Sequence, residues 1–194
     1  MNIIKSKIFR FLVLFYIVGV VLGIISNFIG DIYVLDDSVI SYFELFKGDK
    51  LLGRMHSMWS IVDIESRSIV PVPSAIPENP KMVPFQKRED DLSFAKIAPI
   101  TNPSLEKEFE VRYNDLDVNG HANNGNYIVW AFEPLSFEFK NTHRIKTIDM
   151  IYKKEAKFGE KFVSQIEFKD ENTTIHRLQN SEGEDLFLLE CSWV

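Results

Sequence analysis

Residues 111–133 read Val-Arg-Tyr-Asn-Asp-Leu-Asp-Val-Asn-Gly-His-Ala-Asn-Asn-Gly-Asn-Tyr-Ile-Val-Trp-Ala-Phe-Glu. A strand-like run ending near Tyr113 gives way to residues crowded with carboxylates, amides and one imidazole. From Ala122 onward the apolar period changes, and Tyr127, Ile128, Trp130, Ala131 and Phe132 fall on one helical stripe. Asn123 or Asn124 is the expected N-cap, and Gly120 and Gly125 allow a close backbone approach. The polar cluster is thus expected on a strand-to-helix turn, beside a helix N-terminus that favours developing negative charge. Asp115, Asp117, Asn119 and His121 supply base, orienter and donor types within one short segment.

By composition alone this cluster is an ordinary solvated turn, since Asn, Asp and Gly tolerate left-handed geometry. The order of the residues sets it apart. The string Asp-Leu-Asp-Val-Asn-Gly-His-Ala-Asn-Asn-x-x-Tyr-Ile-x-Trp resembles the active-site segment of the acyl-acyl carrier protein (acyl-ACP) thioesterases, a double hot-dog family. More loosely, it is similar to the Asp-x-x-Gly-His-x-Asn-x-x-Tyr pattern of single hot-dog acyl-CoA thioesterases. The resemblance implies an α+β chain: a tandem double hot dog, each copy an antiparallel sheet wrapped round a central helix. It also implies hydrolysis of acyl-ACP to free fatty acid and carrier protein, the step that ends fatty acid synthesis.

The family's Asp-x-Asn-x-His falls on Asp117, Asn119 and His121. Its later Tyr-Arg/Lys-Arg/Lys-Glu element is matched by Tyr152-Lys153-Lys154-Glu155, which makes Glu155 the implied catalytic glutamate. Plant members carry a cysteine directly after that glutamate; here the position is Ala156, and Cys191, the only cysteine, lies on a different predicted strand. Water activated by Glu155 and His121 is therefore the expected nucleophile, with Asp117 holding charge and geometry. Asn119 or helix-start N–H groups would hold the oxyanion. Asn123, Asn124, Tyr127, Ile128 and Trp130 are the expected substrate contacts, with Phe132 beside them along an apolar tunnel. No cofactor and no metal are implied, and no Cys-His metal spacing is present.

The chain has 194 residues, 45% of them hydrophobic, including 16 Phe, and a formal net charge of −6. It can build a substantial core, and without a Lys/Arg cluster nucleic acid is excluded as a partner. The expected partners are acylated carrier protein and its fatty acyl thioester; a homodimer is compatible with this reading. Carrier protein docking calls for a local basic patch, for which Lys153, Lys154, Lys157 and Lys161 are candidates. The expected location is cytoplasmic.

Residues 1–30 form a hydrophobic N-terminal segment. Lys5, Lys7 and Arg10 precede Phe11–Ile29, nineteen residues whose only polar members are Tyr16, Ser26 and Asn27. As a helix it would be roughly 28 Å long, enough for a bilayer core. It reads equally as a buried element of the first hot dog, since Val, Ile and Phe also form strands. A membrane anchor here would export everything downstream, away from a cytosolic substrate.

Residues 31–72 are expected to supply a partial N-terminal hot dog, with strands at 31–35, 39–46 and 51–63 and an extension at 68–71. Its Ser57-Met58-Trp59-Ser60-Ile61-Val62-Asp63-Ile64-Glu65-Ser66-Arg67 resembles the last strands of the family's first hot dog. Seven of the eight prolines lie between Pro71 and Pro103, so 73–104 reads as a linker, with a short helix expected near 89–95. Residues 105–194 read as the complete C-terminal hot dog: a strand at 106–113, a helix to about Phe137, and strands at 144–155, 161–169, 173–179 and 186–194. The first copy lacks this inventory and is expected to be incomplete. Two other readings stand beside the leading one, an acyl-CoA thioesterase and an inactive, membrane-attached acyl-binding remnant.

Overall fold

The computed structural model describes residues 27–34, 38–63, 65–66, 68–71, 83–84, 92, 94 and 96–194. The chain divides into two units, Met1–Leu92 and Ser93–Val194.

The first unit holds a five-stranded sheet of order β4-β3-β2-β1-β5. Its strands are β1 (Asn27–Val34), β2 (Ser38–Lys47), β3 (Lys50–Val62), β4 (Ile69–Val70) and β5 (Val83–Pro84). Gly48 at φ 59° makes the tight β2–β3 turn, where Lys47 faces Lys50. β5 pairs in parallel with β1 and sits at the sheet edge, where a proline costs no ladder bond. The expected linker therefore contributes a short strand.

Most of the apolar run 11–29 lies outside the described residues. Its last three, Asn27, Phe28 and Ile29, are in β1, so a helix through the whole run is corrected at that end. Among the described residues no helix is long and apolar enough to cross a membrane. The helix expected near 89–95 falls largely outside the described residues.

The second unit holds a sheet of order β6-β8-β9-β10-β7, antiparallel at every pairing. The strands are β6 (Leu105–Glu110), β7 (Ile145–Tyr152), β8 (Lys161–Asp170), β9 (Thr173–Asn180) and β10 (Asp185–Trp193). One face receives helix α1 (Asn124–Phe132), which buries Tyr127, Trp130 and Ala131. Phe162, Ile166, Leu178, Phe187, Leu189, Cys191 and Trp193 meet it from the strands. Each large apolar side chain enclosed this way contributes roughly 1.5–3 kcal/mol. This is the hot-dog arrangement. On the opposite face Ile175 and Leu188 are covered by Ile97 and Ile100, residues assigned by composition to the linker. Glu167 secures that cover by accepting the Thr101 and Asn102 N–H groups at 2.7 and 2.8 Å.

The helix expected to run to Phe137 stops at Phe132. Pro134 has no N–H to continue the ladder and restricts the residue before it. Ser136 then caps a second helix, α2 (Phe137–Thr142), by accepting the Phe139 N–H at 3.1 Å. The strand expected to run to Glu155 stops at Tyr152, because Lys153 and Lys154 N–H groups both turn to the Leu186 carbonyl.

The C-terminal carbonyls of α1 are held by the sheet. Ser164 Oγ donates to the Trp130 carbonyl at 2.8 Å, and His176 Nδ1 donates to the Ala131 carbonyl at 2.7 Å. His176 Nε2 then accepts from the Thr174 hydroxyl, which itself accepts from Trp193 Nε1 at 2.8 Å. Every member is buried. Burial pushes the His176 imidazole down to about 4, so it is neutral at physiological pH.

The unfolded chain binds this proton near pH 6.5 and the folded chain only near 4. The His176 contribution is thus fully present above about pH 6.5 and is lost as pH falls toward 4. Urea melts should show an unfolding free energy that drops between pH 7 and pH 5, by no more than about 1.4 kcal/mol per pH unit from this group. His176→Gln should lower stability at pH 7 and flatten that dependence.

Candidate active site

The polar turn is organised from within before it meets any other element. Asp115 closes a 3-10 turn at Tyr113–Asp115. Its buried carboxylate accepts from the Arg112 N–H at 2.8 Å, Nε at 3.0 Å and Nη2 at 2.9 Å. The Arg112 guanidinium holds the Asp115 carboxyl below the usual carboxylate range. The Asp115 carbonyl in turn receives the Asn123 N–H at 2.8 Å and Asn126 Nδ2 at 2.9 Å. Asp115 is thus an anchor rather than a base, because three of its roughly four acceptor positions are committed to Arg112. Sequence reasoning missed Arg112 and Asn126; the Arg-x-x-Asp spacing was the available signal for the first.

Residues 116–122 form a small hairpin, with Leu116 facing Ala122. The Asp117 N–H donates to the His121 carbonyl at 2.7 Å, and the Gly120 N–H to the Asp117 carbonyl at 3.1 Å. Gly120 has φ 76°, a conformation that costs other residues roughly 1–2 kcal/mol. Asp117 Oδ1 accepts the Asn119 N–H at 2.7 Å and the His121 N–H at 3.3 Å; Oδ2 accepts Asn119 Nδ2 at 2.9 Å. Asp117 therefore fixes both the amide and the backbone of the imidazole. The Asn119 amide has a second N–H for another acceptor.

Glu155 arrives from elsewhere in the chain. The Ala122 N–H donates to the Ala156 carbonyl at 2.8 Å, and His121 forms a β-bridge with Lys157. This lateral pairing brings His121 Nε2 to 3.5 Å from Glu155 Oε2. Both groups reach solvent, with side chains 29% and 57% exposed respectively. The gap is longer than the roughly 2.7–2.9 Å of a charge-assisted bond. Such contacts are commonly long in a free enzyme and tighten around substrate.

The expected substrate contacts are placed unequally. The Asn123 side chain caps α1 by accepting the Gly125 N–H at 2.9 Å, and the Asn124 carbonyl takes the Tyr152 hydroxyl at 3.0 Å. Trp130 is enclosed, its ring 4.8 Å from that of Phe162. Tyr127 is 2% exposed, while Ile128 is only partly buried against the same core. Of the candidate docking cations, Lys153 pairs with Asp185 at 3.0 Å and Lys154 with Glu184.

Neither position considered for a cysteine nucleophile is usable. Ala156 is fully buried and has no reactive atom, and burial pushes the enclosed Cys191 thiol up to about 12.

Residues 99–194 match the model of the acyl-ACP thioesterase C-terminal domain. Nearly all of the second unit is thus matched to the acyl-ACP thioesterase family. An oleoyl-acyl carrier protein thioesterase of Coriandrum sativum is 27% identical over 149 residues, covering 71% of this chain and 40% of the relative. A palmitoyl-acyl carrier protein thioesterase of Cuphea hookeriana is 30% identical over 111 residues, covering 55% and 27%. The chain thus spans two fifths or less of these relatives' length. The solved 12:0-ACP thioesterase of Umbellularia californica superposes with a TM-score of 0.76 at 17% identity, covering 86% of this chain and 66% of that one. An acyl-ACP thioesterase from Bacteroides thetaiotaomicron gives 0.71 at 18%, covering 85% and 67%. These superpositions establish the fold.

In this acyl-ACP thioesterase domain the Asp115 anchor makes a direct prediction. Asp115→Ala removes the acceptor of three hydrogen bonds and should cost about 1–2 kcal/mol, comparable to losing a helix cap. Thermal melts of the variant beside the parent chain measure it.

Proposed function

We propose that this chain hydrolyses acyl-ACP to free fatty acid and carrier protein, using water activated by Glu155 and His121. The observation that carries the reading is the 3.5 Å approach of His121 Nε2 to Glu155 Oε2, across two segments, in a chain matched to this family. A half-exposed carboxylate beside an imidazole can hold a water molecule and take its proton.

Glu155 accepts a proton from water while His121 orients it, and the oxygen bonds to the thioester carbonyl carbon. The carbonyl oxygen becomes an oxyanion, held by the second N–H of the Asn119 amide. Collapse breaks the carbon–sulfur bond, and the departing thiolate takes the proton from the Glu155–His121 pair. Asp117 keeps Asn119 and His121 aimed throughout, by the bonds already described.

A thiolate leaves readily, so oriented water suffices. The acyl chain would run along half-buried Ile128 and Phe132, past Asn123 and Asn124 at the helix start. Tyr127 and Trp130 would form the floor beneath it. Lys157, whose backbone bridges to His121, is a docking cation in this reading. Two further parts rest on the sequence alone: attachment to a membrane through the apolar run before β1, and a homodimer. Vesicle flotation and sedimentation of the full chain decide those.

Glu155→Gln and His121→Ala should each lower acyl-ACP hydrolysis roughly 10²–10⁴-fold, the range for general acid–base groups. Unchanged rates in both variants would reject the assignment, and a preference for acyl-CoA of equal chain length would move the substrate class. Treatment of the folded protein with a thiol-alkylating reagent should leave activity intact, since Cys191 is enclosed and protonated.

A further inference from the structure

Glu155 lies in a loop, not on the strand end, and something must hold that loop against the His121 hairpin. The peptide groups on both sides of Glu155 converge on one buried atom. The Tyr127 hydroxyl accepts the Ala156 N–H at 2.7 Å and donates to the Lys154 carbonyl at 3.3 Å. Tyr127 stands in the first turns of α1, directly after the segment that carries Asp117 and His121. Its ring is wedged among Tyr152, Phe187 and Trp130, with centroids 5.5, 5.9 and 5.6 Å away. A tyrosine has only two side-chain torsions to fix, and here both are set by packing.

We infer that the Tyr127 hydroxyl is a positioning group for Glu155: it clamps residues 154 and 156 to α1 and so sets the Glu155–His121 distance. The inference rests on the catalytic reading above. Lys153 and Lys154 N–H groups are tied to Leu186 on one side, and the Ala156 carbonyl to Ala122 on the other. Those bonds fix where the loop enters and leaves. The hydroxyl acts between them, on the two peptide units that flank Glu155. Phenylalanine keeps the ring and its packing, so the hydroxyl's role is separable from the core's.

The test is a double-mutant cycle of Tyr127→Phe, Glu155→Gln and both together, assayed on acyl-ACP. Tyr127→Phe should lower kcat about tenfold with KM changed less than twofold, because the ring that floors the acyl chain is kept and only the hydroxyl is lost. In the Glu155→Gln background the same change should have little further effect. Equal losses in both backgrounds would overturn the positioning role while leaving Glu155 catalytic. An undiminished Glu155→Gln would instead reject the catalytic reading on which the inference rests. If Tyr127→Phe does not fold, hydrogen exchange of the unaltered protein decides the matter. The Ala156 amide should be strongly protected, and exchange at the rate of an exposed amide would overturn the clamp.

Discussion

A nine-residue helix cannot hold its own shape in water; it is well short of the length at which an isolated helix becomes stable. Helix α1 therefore exists because the sheet covers Tyr127, Trp130 and Ala131, and because the sheet answers the carbonyls at its C-terminal end. Ser164 and His176 do the second job from inside the core, where an unmet carbonyl would cost about 1–3 kcal/mol. With that end fixed, the N-terminal end has one place to be. The polar hairpin 116–122 hangs from it through the Asn123 and Asn126 bonds to Asp115. The site inherits its geometry from an apolar contact on the far side of the helix.

The two halves of the site are built by different means. The hairpin is local: Arg112, Asp115, Asp117 and Gly120 bond within residues 112–126, no partner lying more than eleven positions away. Glu155 is delivered by topology, because β7 runs along the edge of the sheet beside β10 and its exit passes the helix N-terminus. Surface ion pairs such as Lys153–Asp185 are worth little energy on their own, so they tune this exit more than they hold it. Hydrogen bonds to buried peptide groups carry the constraint.

Much of this was legible in residue order, and the failures have physical causes. Phe162, Ser164, Ile166 and Phe168 alternate with polar residues as a sheet with one covered face requires; the first three are buried, while Phe168, near the strand end, is 38% exposed. Asn123 was one of two proposed caps and is the observed one. The helix end was overrun because the apolar stripe continues past Pro134, although the ring of that proline breaks the backbone ladder. Strand β7 was overrun for a related reason: nothing in Lys153-Lys154 signals that both N–H groups turn to one carbonyl. The run ending at Ile29 was ambiguous because apolar, β-branched residues satisfy a helix and a strand equally well. Glu155 could not be joined to His121 by any spacing rule, since 34 residues separate them; only the family resemblance linked them. The two hydrogen bonds of the Tyr127 hydroxyl had no sequence signal at all, as a tyrosine on an apolar stripe reads as core or as a substrate contact.

Ile97 and Ile100 bear on how the second half of this protein can be handled. They are the lid of a separate apolar patch, and Glu167 binds the chain just beyond them. A fragment cut at residue 105, where the first strand of that sheet begins, would leave Ile175 and Leu188 bare on an outer surface. Such a piece would be prone to self-association in concentrated solution. A fragment begun upstream of Ile97 would keep its own wrapping.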